Sequence, residues 1–205
     1  MKHKLLLATR NKGKVIEFQR ILEAIAPGEI ELISLDSFPN LGDVEETGES
    51  FEENALLKAT QMCKESGLAA IADDSGICID ALGGAPGIYS ARWAGDHGND
   101  HANNEKVLSQ LKDVPAGARG AHFRCVAALA LPDGRTHTQE GRFEGEILNS
   151  PMGENGFGYD PIFKPSGFEI SSAQMSPEQK DSLSHRGKAL RALAPHAIEL
   201  LNSLR

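Results

Sequence analysis

Residues 4–25 read KLLLATRNKGKVIEFQRILEAI. The opening KLLLAT is a short apolar run ending in polar residues, and Val15, Phe18, Leu22 and Ile25 then recur at helical spacing. This predicts strand, loop, helix. The same unit follows again: residues 29–35 read as a strand, GDVEETGES (42–50) as an acidic loop, and Phe51, Ala55, Ala59 and Met62 or Cys63 as the buried stripe of a second helix. LAAIADDSGICIDAL (68–82) offers two short strands on either side of Asp73-Asp74-Ser75-Gly76, and the Gly-rich segment 83–100 leads to a helix near 101–112. AHFRCVAALAL (121–131) is followed by Pro-Asp-Gly-Arg and THTQEGRFEGEIL (136–148), a hairpin signal because Asp-Gly accepts the positive φ of a tight turn. A Gly-rich loop, MGENGFGYDP (152–161), and a polar stretch precede a last helix over 185–204, where Pro195 predicts a kink or a restart. Alternating βα units with one hairpin give an α/β protein with a mixed central sheet and helices on both faces.

The 205 residues suffice for one full-sized domain or two lobes sharing a core, and no repeat or Ser/Gly linker marks a boundary. With 24% charged and only 5% aromatic residues, the composition is that of a folded protein with an aliphatic core. A net charge of −8 disfavours a nucleic acid polymer as partner, so an anionic ligand must meet a local basic site or a bridging cation. Cys63, Cys78 and Cys125 form no C-x-x-C pair, which fits a reduced compartment, and no segment approaches the about 18 apolar residues of a membrane span. The expectation is a cytoplasmic protein without a membrane partner.

Five segments can carry chemistry. Thr9-Arg10-Asn11-Lys12-Gly13-Lys14 stands where the first strand meets the first helix, and lysines at a helix N-terminus oppose its dipole unless an anion sits opposite. A phosphate or an ordinary N-cap with solvent lysines both satisfy it. Glu45-Glu46-Thr47-Gly48 precedes the second helix; a capping role for Thr47 or Ser50 explains Glu52 and Glu53 but not Glu45 and Glu46. Asp73-Asp74-Ser75-Gly76 places adjacent carboxylates at a strand end, where hard oxygens suit Mg²⁺, the alternative being an Asx-turn. Should the acidic loop meet that strand end, its charges would repel by about 4 kcal/mol per pair at 4 Å, which a divalent cation relieves. Phe157-Gly158-Tyr159-Asp160 offers a ring on a glycine-flanked backbone, suited to stacking on a base. Finally, Lys180, His185 and Arg186 surround the start of the last helix, with Ser184 as its N-cap, and carry donors suited to carbonyl or phosphate oxygens. His97 and His101 read as surface residues.

Together the stretches ATRNKGKVIEF, EETGESFEENALLKA, ADDSGICIDALGGAPGIYSARW, GFGYDPIF and SHRGKAL resemble, in order, the inosine triphosphate pyrophosphatase family. The resemblance implies a single two-lobed domain over 1–205 with a long mixed sheet, an active-site cleft between the lobes, and a homodimer. It implies Mg²⁺-dependent hydrolysis of ITP, dITP or XTP to the monophosphate and pyrophosphate. It also implies that Thr9 through Lys14 hold the phosphates, that Glu45 or its neighbour Glu46 binds metal with Asp74, and that Asp74 is the proton acceptor. Ser75, Phe157, Gly158, Tyr159, Asp160, Lys180, His185 and Arg186 are then the remaining substrate-binding residues. Arg10 departs from the glycine often found there. Two other readings stay open: a nucleotide-binding regulatory module that leaves its ligand intact, and a pyrophosphatase acting on modified pyrimidine nucleotides.

Overall fold

Leu5, Leu6 and Leu7 are all buried, so the strand that carries them, β1 (His3–Leu7), has no solvent face and belongs inside a sheet covered on both sides. The computed structural model, which describes residues 2–204, has this arrangement. β1 pairs in parallel with β2 (Ile30–Ser34) on one edge and with β3 (Ala70–Ile79) on the other. Six strands run in the order β2-β1-β3-β4-β5-β6, where β4 is Gly120–Ala130, β5 Thr136–Ile147 and β6 Phe163–Pro165. β6 pairs antiparallel with β5, so the sheet is mixed. β4 and β5 form the hairpin expected of Pro-Asp-Gly-Arg: Leu131 N–H donates to Arg135, Gly134 N–H donates to Leu131, and Gly134 takes φ 90°.

The chain folds as two compact units. The first comprises the chain up to Asp74, Cys125–Gly141 and the segment from Arg186 onward; the second comprises Ser75–Arg124 and Arg142–His185. In the first, α1 (Lys12–Ile25) and α5 (His185–Asn202) lay Phe18, Ile21, Leu22, Leu190 and Leu193 against Leu5, Leu7, Ile71, Ala127 and Leu129. Its α2 (Phe51–Ser66) buries Phe51, Ala55, Ala59, Met62 and Cys63, the expected stripe, and also the polar Asn54 and Lys58. The second unit, which includes α3 (Asp100–Gln110) and α4 (Pro177–Leu183), packs around Ile77, Ile79, Val107, Phe123, Phe143, Tyr159 and Phe163. Both cores are mainly aliphatic, as composition leads one to expect, with the aromatics Phe123, Phe143, Tyr159 and Phe163 gathered in the second.

Three expectations are corrected. The two short strands around Asp73-Asp74-Ser75-Gly76 are one ten-residue strand, so the two aspartates lie inside β3 and make neither a strand end nor an Asx-turn. Gly76 is what lets the strand continue there: a Cβ on it would stand 2.2 Å from the Gly87 carbonyl oxygen and 2.4 Å from Ser90 Oγ, which itself accepts the Ile77 N–H. Of the kink or restart expected at Pro195, the restart is absent: α5 runs through it from His185 to Asn202. The polar stretch before it contains α4, whose Ser176-Pro177-Glu178-Gln179 start is a reciprocal capping box with proline in the first turn.

Gly76→Ala is expected to lower stability by about 1–3 kcal/mol through overpacking. Gly117→Ala, where a Cβ meets nothing within 4 Å, should stay within about 0.5 kcal/mol of wild type in the same urea titration. Equal effects would contradict the close approach at Gly76.

Candidate active site

Neighbouring residues of a strand face opposite sides of the sheet, and β3 uses this at Asp73 and Asp74. Asp73 lies on the side of α1 and α5. Its Oδ2 accepts from Arg186 Nη2 at 2.9 Å and Nε at 3.2 Å, and its Oδ1 is 3.0 Å from Lys14 Nζ. Arg186 also pairs through Nη1 with Glu17, on α1. Burial works to raise the Asp73 carboxyl, but Lys14, Arg186 and Lys58 outweigh it and hold the group far below the ordinary carboxylate range. Burial likewise works against the Arg186 charge, and Asp73 and Glu17 overcome it, so the guanidinium stays protonated. Burial pushes the neighbouring Cys125 thiol far up, so it is no nucleophile.

Asp74, on the other side of the strand, faces α2. Its Oδ2 accepts from Asn54 Nδ2 at 3.2 Å, and its Oδ1 is 3.3 Å from Lys58 Nζ, which also binds Glu46 Oε1 at 2.8 Å. Burial raises the Asp74 carboxyl, helped by Glu46 and opposed by Lys58, Lys14 and the Asn54 hydrogen bond. Lys58 loses charge stability to burial but gains more from Asp74, Glu46 and Asp73, so its ammonium is held charged. A cationic group therefore already sits between the Glu46 and Asp74 carboxylates. Two hard oxygen donors at one cation are what Mg²⁺ takes from a protein when phosphates and water complete its octahedron. Among the described residues no three His, Cys, Asp or Glu side chains gather as an all-protein metal cage.

The phosphate-loop candidates, residues 9–14, lie in the same unit as this cluster. Asn11 is the N-cap of α1, its Oδ1 accepting from Lys14 N at 3.1 Å, and Thr9 Oγ1 accepts from Asn11 N at 3.2 Å. Lys12 is exposed and Gly13 half-buried. The anion expected opposite Lys14 is present within the protein, as Asp73. Arg10 turns away from the helix start: its guanidinium binds Asp36, Asp43 and the Leu41 carbonyl, tying down the 36–43 segment. Glu45 is exposed, and it is Glu46 that shares Lys58 with Asp74. Arg186 is 1% exposed and engaged by two carboxylates, so its side chain builds the site from behind.

The second unit gathers the other candidates. Lys180 Nζ is 2.5 Å from Asp160 Oδ2 and 5.1 Å from the centre of the Phe157 ring, over its face. Asp160 Oδ2 also accepts from Phe157 N at 3.0 Å, a close turn that Gly156 permits at φ 77°. Gly158 is held by Asp100, which accepts its N–H at 2.7 Å, and by Asn104, which donates to its carbonyl at 3.0 Å. Tyr159 points inward, its hydroxyl donating to the Ser90 carbonyl at 2.7 Å, and burial with Asp100 pushes its phenol up, so it anchors the loop. His185 stacks on Phe123 with ring centres 4.8 Å apart and planes 9° from parallel. Ser75 is half-buried on β3. His101 is exposed beside Glu105, as a surface residue should be.

Asn54 and Lys58, to which the sequence reading gives no role, are brought against Asp74 by the structure, and Asp73, read there as half of a carboxylate pair, is instead taken up by Lys14 and Arg186. Asn54 and Lys58 stand four apart on the apolar stripe of α2, and a polar pair at core spacing was the available signal.

Asp73→Asn should cost about 3–5 kcal/mol at pH 7, because it removes the carboxylate that Lys14 faces and one of the two that hold the buried charge of Arg186. Asp73 has a lowered folded-state pKa, so its contribution is complete above the unfolded value of about 4 and is lost as pH falls below it. Urea titrations should show the gap between wild type and variant narrowing from about pH 4 to about pH 2; a constant gap would contradict the buried pairing.

The Ham1 family model matches residues 5–196 of the chain. A dITP/XTP pyrophosphatase of Streptomyces avermitilis is 52% identical over 198 residues, 97% of this chain and 98% of that protein. Among solved structures, the Ham1 protein of Staphylococcus aureus is similar with a TM-score of 0.82 at 40% identity, over 98% of this chain and 100% of that one. The nucleoside-triphosphatase / dITP/XTP pyrophosphatase of Mycobacterium abscessus is similar with a TM-score of 0.75 at 50% identity, over 94% and 99%. Matched by the family model over residues 5–196 and by these relatives along nearly its whole length, the chain belongs to the Ham1 family.

Proposed function

We propose that the protein hydrolyses nonstandard purine nucleoside triphosphates, ITP, dITP and XTP, to the monophosphate and pyrophosphate. The observation that carries this is the ammonium of Lys58 shared by Glu46 and Asp74, next to a helix start that bears Lys12 and Lys14. Asp74 and Glu46 would hold Mg²⁺, which supplies Lewis-acid neutralisation of the phosphate oxygens when bound. Asp74, oriented by Asn54 and Lys58, would accept the proton of the attacking water. Thr9, Asn11, Lys12, Gly13 and Lys14 would position the triphosphate with the free N–H groups of α1 and the lysine charges.

Base choice would rest on Phe157, Lys180, His185 and the loop that Tyr159 and Asp160 fix. Donors aimed at a 6-oxo group are left unpaired by the 6-amino group of adenine, and such sites discriminate by about 10⁴ or more. The family resemblance and the three free cysteines support a cytoplasmic homodimer. Among the described residues no helix is long and apolar enough to cross a membrane.

Incubation with ITP, dITP, XTP, ATP and dUTP, with product separation, tests the reading. Pyrophosphate from the first three and little from ATP or dUTP is expected; orthophosphate, equal use of ATP, or intact nucleotide would overturn it, the last in favour of a sensing module. Asp74→Asn is expected to lower kcat by about 10²–10⁴-fold while leaving the circular dichroism spectrum unchanged.

A further inference from the structure

We infer that Asn54 is a positioning residue that ties the acidic loop to Asp74 and so sets the spacing of the two carboxylates around Lys58. The inference rests on the pyrophosphatase reading of the same site. Asn54 is 0% exposed in the first turn of α2, an unfavourable place for an amide unless both of its ends are bonded. Both are. Its Nδ2 donates to Asp74 Oδ2 at 3.2 Å, and its Oδ1 accepts the Gly48 N–H at 2.8 Å. A carboxamide carries donor and acceptor on two separate atoms and can bridge two groups: aspartate would lose the donor and leucine both.

Gly48 is the other half of the link. A Cβ there would lie 2.7 Å from Asn54 Oδ1, 2.7 Å from Glu53 Cβ and 3.0 Å from Asn54 N, so the loop approaches α2 this closely only with glycine. The approach is reinforced by Glu49 N donating to Glu53 Oε2 at 2.7 Å and by Ser50 capping the helix through Glu53 N. Glu46 lies two residues before Gly48 and reaches Lys58 Nζ at 2.8 Å, while Asp74, held through Oδ2 by Asn54, turns Oδ1 to the same nitrogen. Asn54 thus fixes one carboxylate by its own orientation and the other through the loop. Groups that orient metal-binding carboxylates typically change metal affinity or activity by about 10–100-fold when removed.

The test compares wild type with Asn54→Leu, Gly48→Ala and the double variant. Three readouts are used: Mn²⁺ binding by electron paramagnetic resonance, steady-state kinetics with dITP at saturating Mg²⁺, and amide exchange over residues 45–49 in metal-free protein. Each single variant should weaken Mn²⁺ binding and lower kcat by about 10–100-fold, with KM for dITP within about threefold, and should speed exchange in the loop. The double variant should be no worse than Asn54→Leu alone, because both changes break one link. Gly48→Ala keeps every buried side chain and decides the matter if Asn54→Leu fails to fold. Unchanged Mn²⁺ affinity, unchanged loop exchange, additive losses in the double variant, or no Mn²⁺ binding by wild type would overturn the inference. A wild type that binds Mn²⁺ but hydrolyses no nucleotide would instead overturn the pyrophosphatase reading, and the Mn²⁺ and exchange comparison would still judge Asn54.

Discussion

The carboxylate of Asp73, buried between Lys14 and Arg186, is the constraint on which the first unit depends. Burying a charge costs several kcal/mol, and the cost is offset only when partners of opposite sign are fixed around it. The partners come from distant parts of the sequence: Lys14 from the first turn of α1, and Arg186 from the first turn of α5, itself braced by Glu17. A single β3 residue thereby fixes the N-terminal ends of two helices over one face of the sheet. Because strand residues alternate, fixing Asp73 there aims Asp74 at α2, where Asn54, Lys58 and Glu46 receive it. Adjacent aspartates thus divide the work, one binding the protein together and one facing the candidate chemistry.

Much of this was legible in the sequence. The helical spacing of Phe18, Leu22 and Ile25, the stripe of α2 and the Asp133-Gly134 turn each state their structure locally, and the structure has all three. The reading that lysines at the start of α1 need an anion was also sound in physics. Asp73 meets Lys14 within the protein, a partner the sequence does not reveal, because it shows that a charge needs compensation and not which of many carboxylates is near.

The rest was hidden for related reasons. Asp-Asp-Ser-Gly carries strong local turn chemistry, yet β3 runs through it because the neighbouring backbone at Gly87 and the Ser90 hydroxyl close over Gly76, a contact no local window contains. Nothing local to Arg186 or Tyr159 shows what holds its side chain: the first pairs with Asp73 and Glu17, and the second donates to the Ser90 carbonyl. Glu45 and Glu46 differ by one residue of register, which the sequence leaves open; it is Glu46 that reaches Lys58. Short β6 lacks any periodic signal, and α4 is marked in the sequence by little beyond the capping box that opens it, inside a polar stretch.

The claim that Glu46 and Asp74 mark a cation position is tested most directly by anomalous diffraction from crystals grown with Mn²⁺ and a non-hydrolysable dITP analogue. The account predicts a manganese peak within about 2.5 Å of a carboxylate oxygen of each residue. A fully occupied peak that touches neither carboxylate, or bound analogue without manganese at this place, would contradict it.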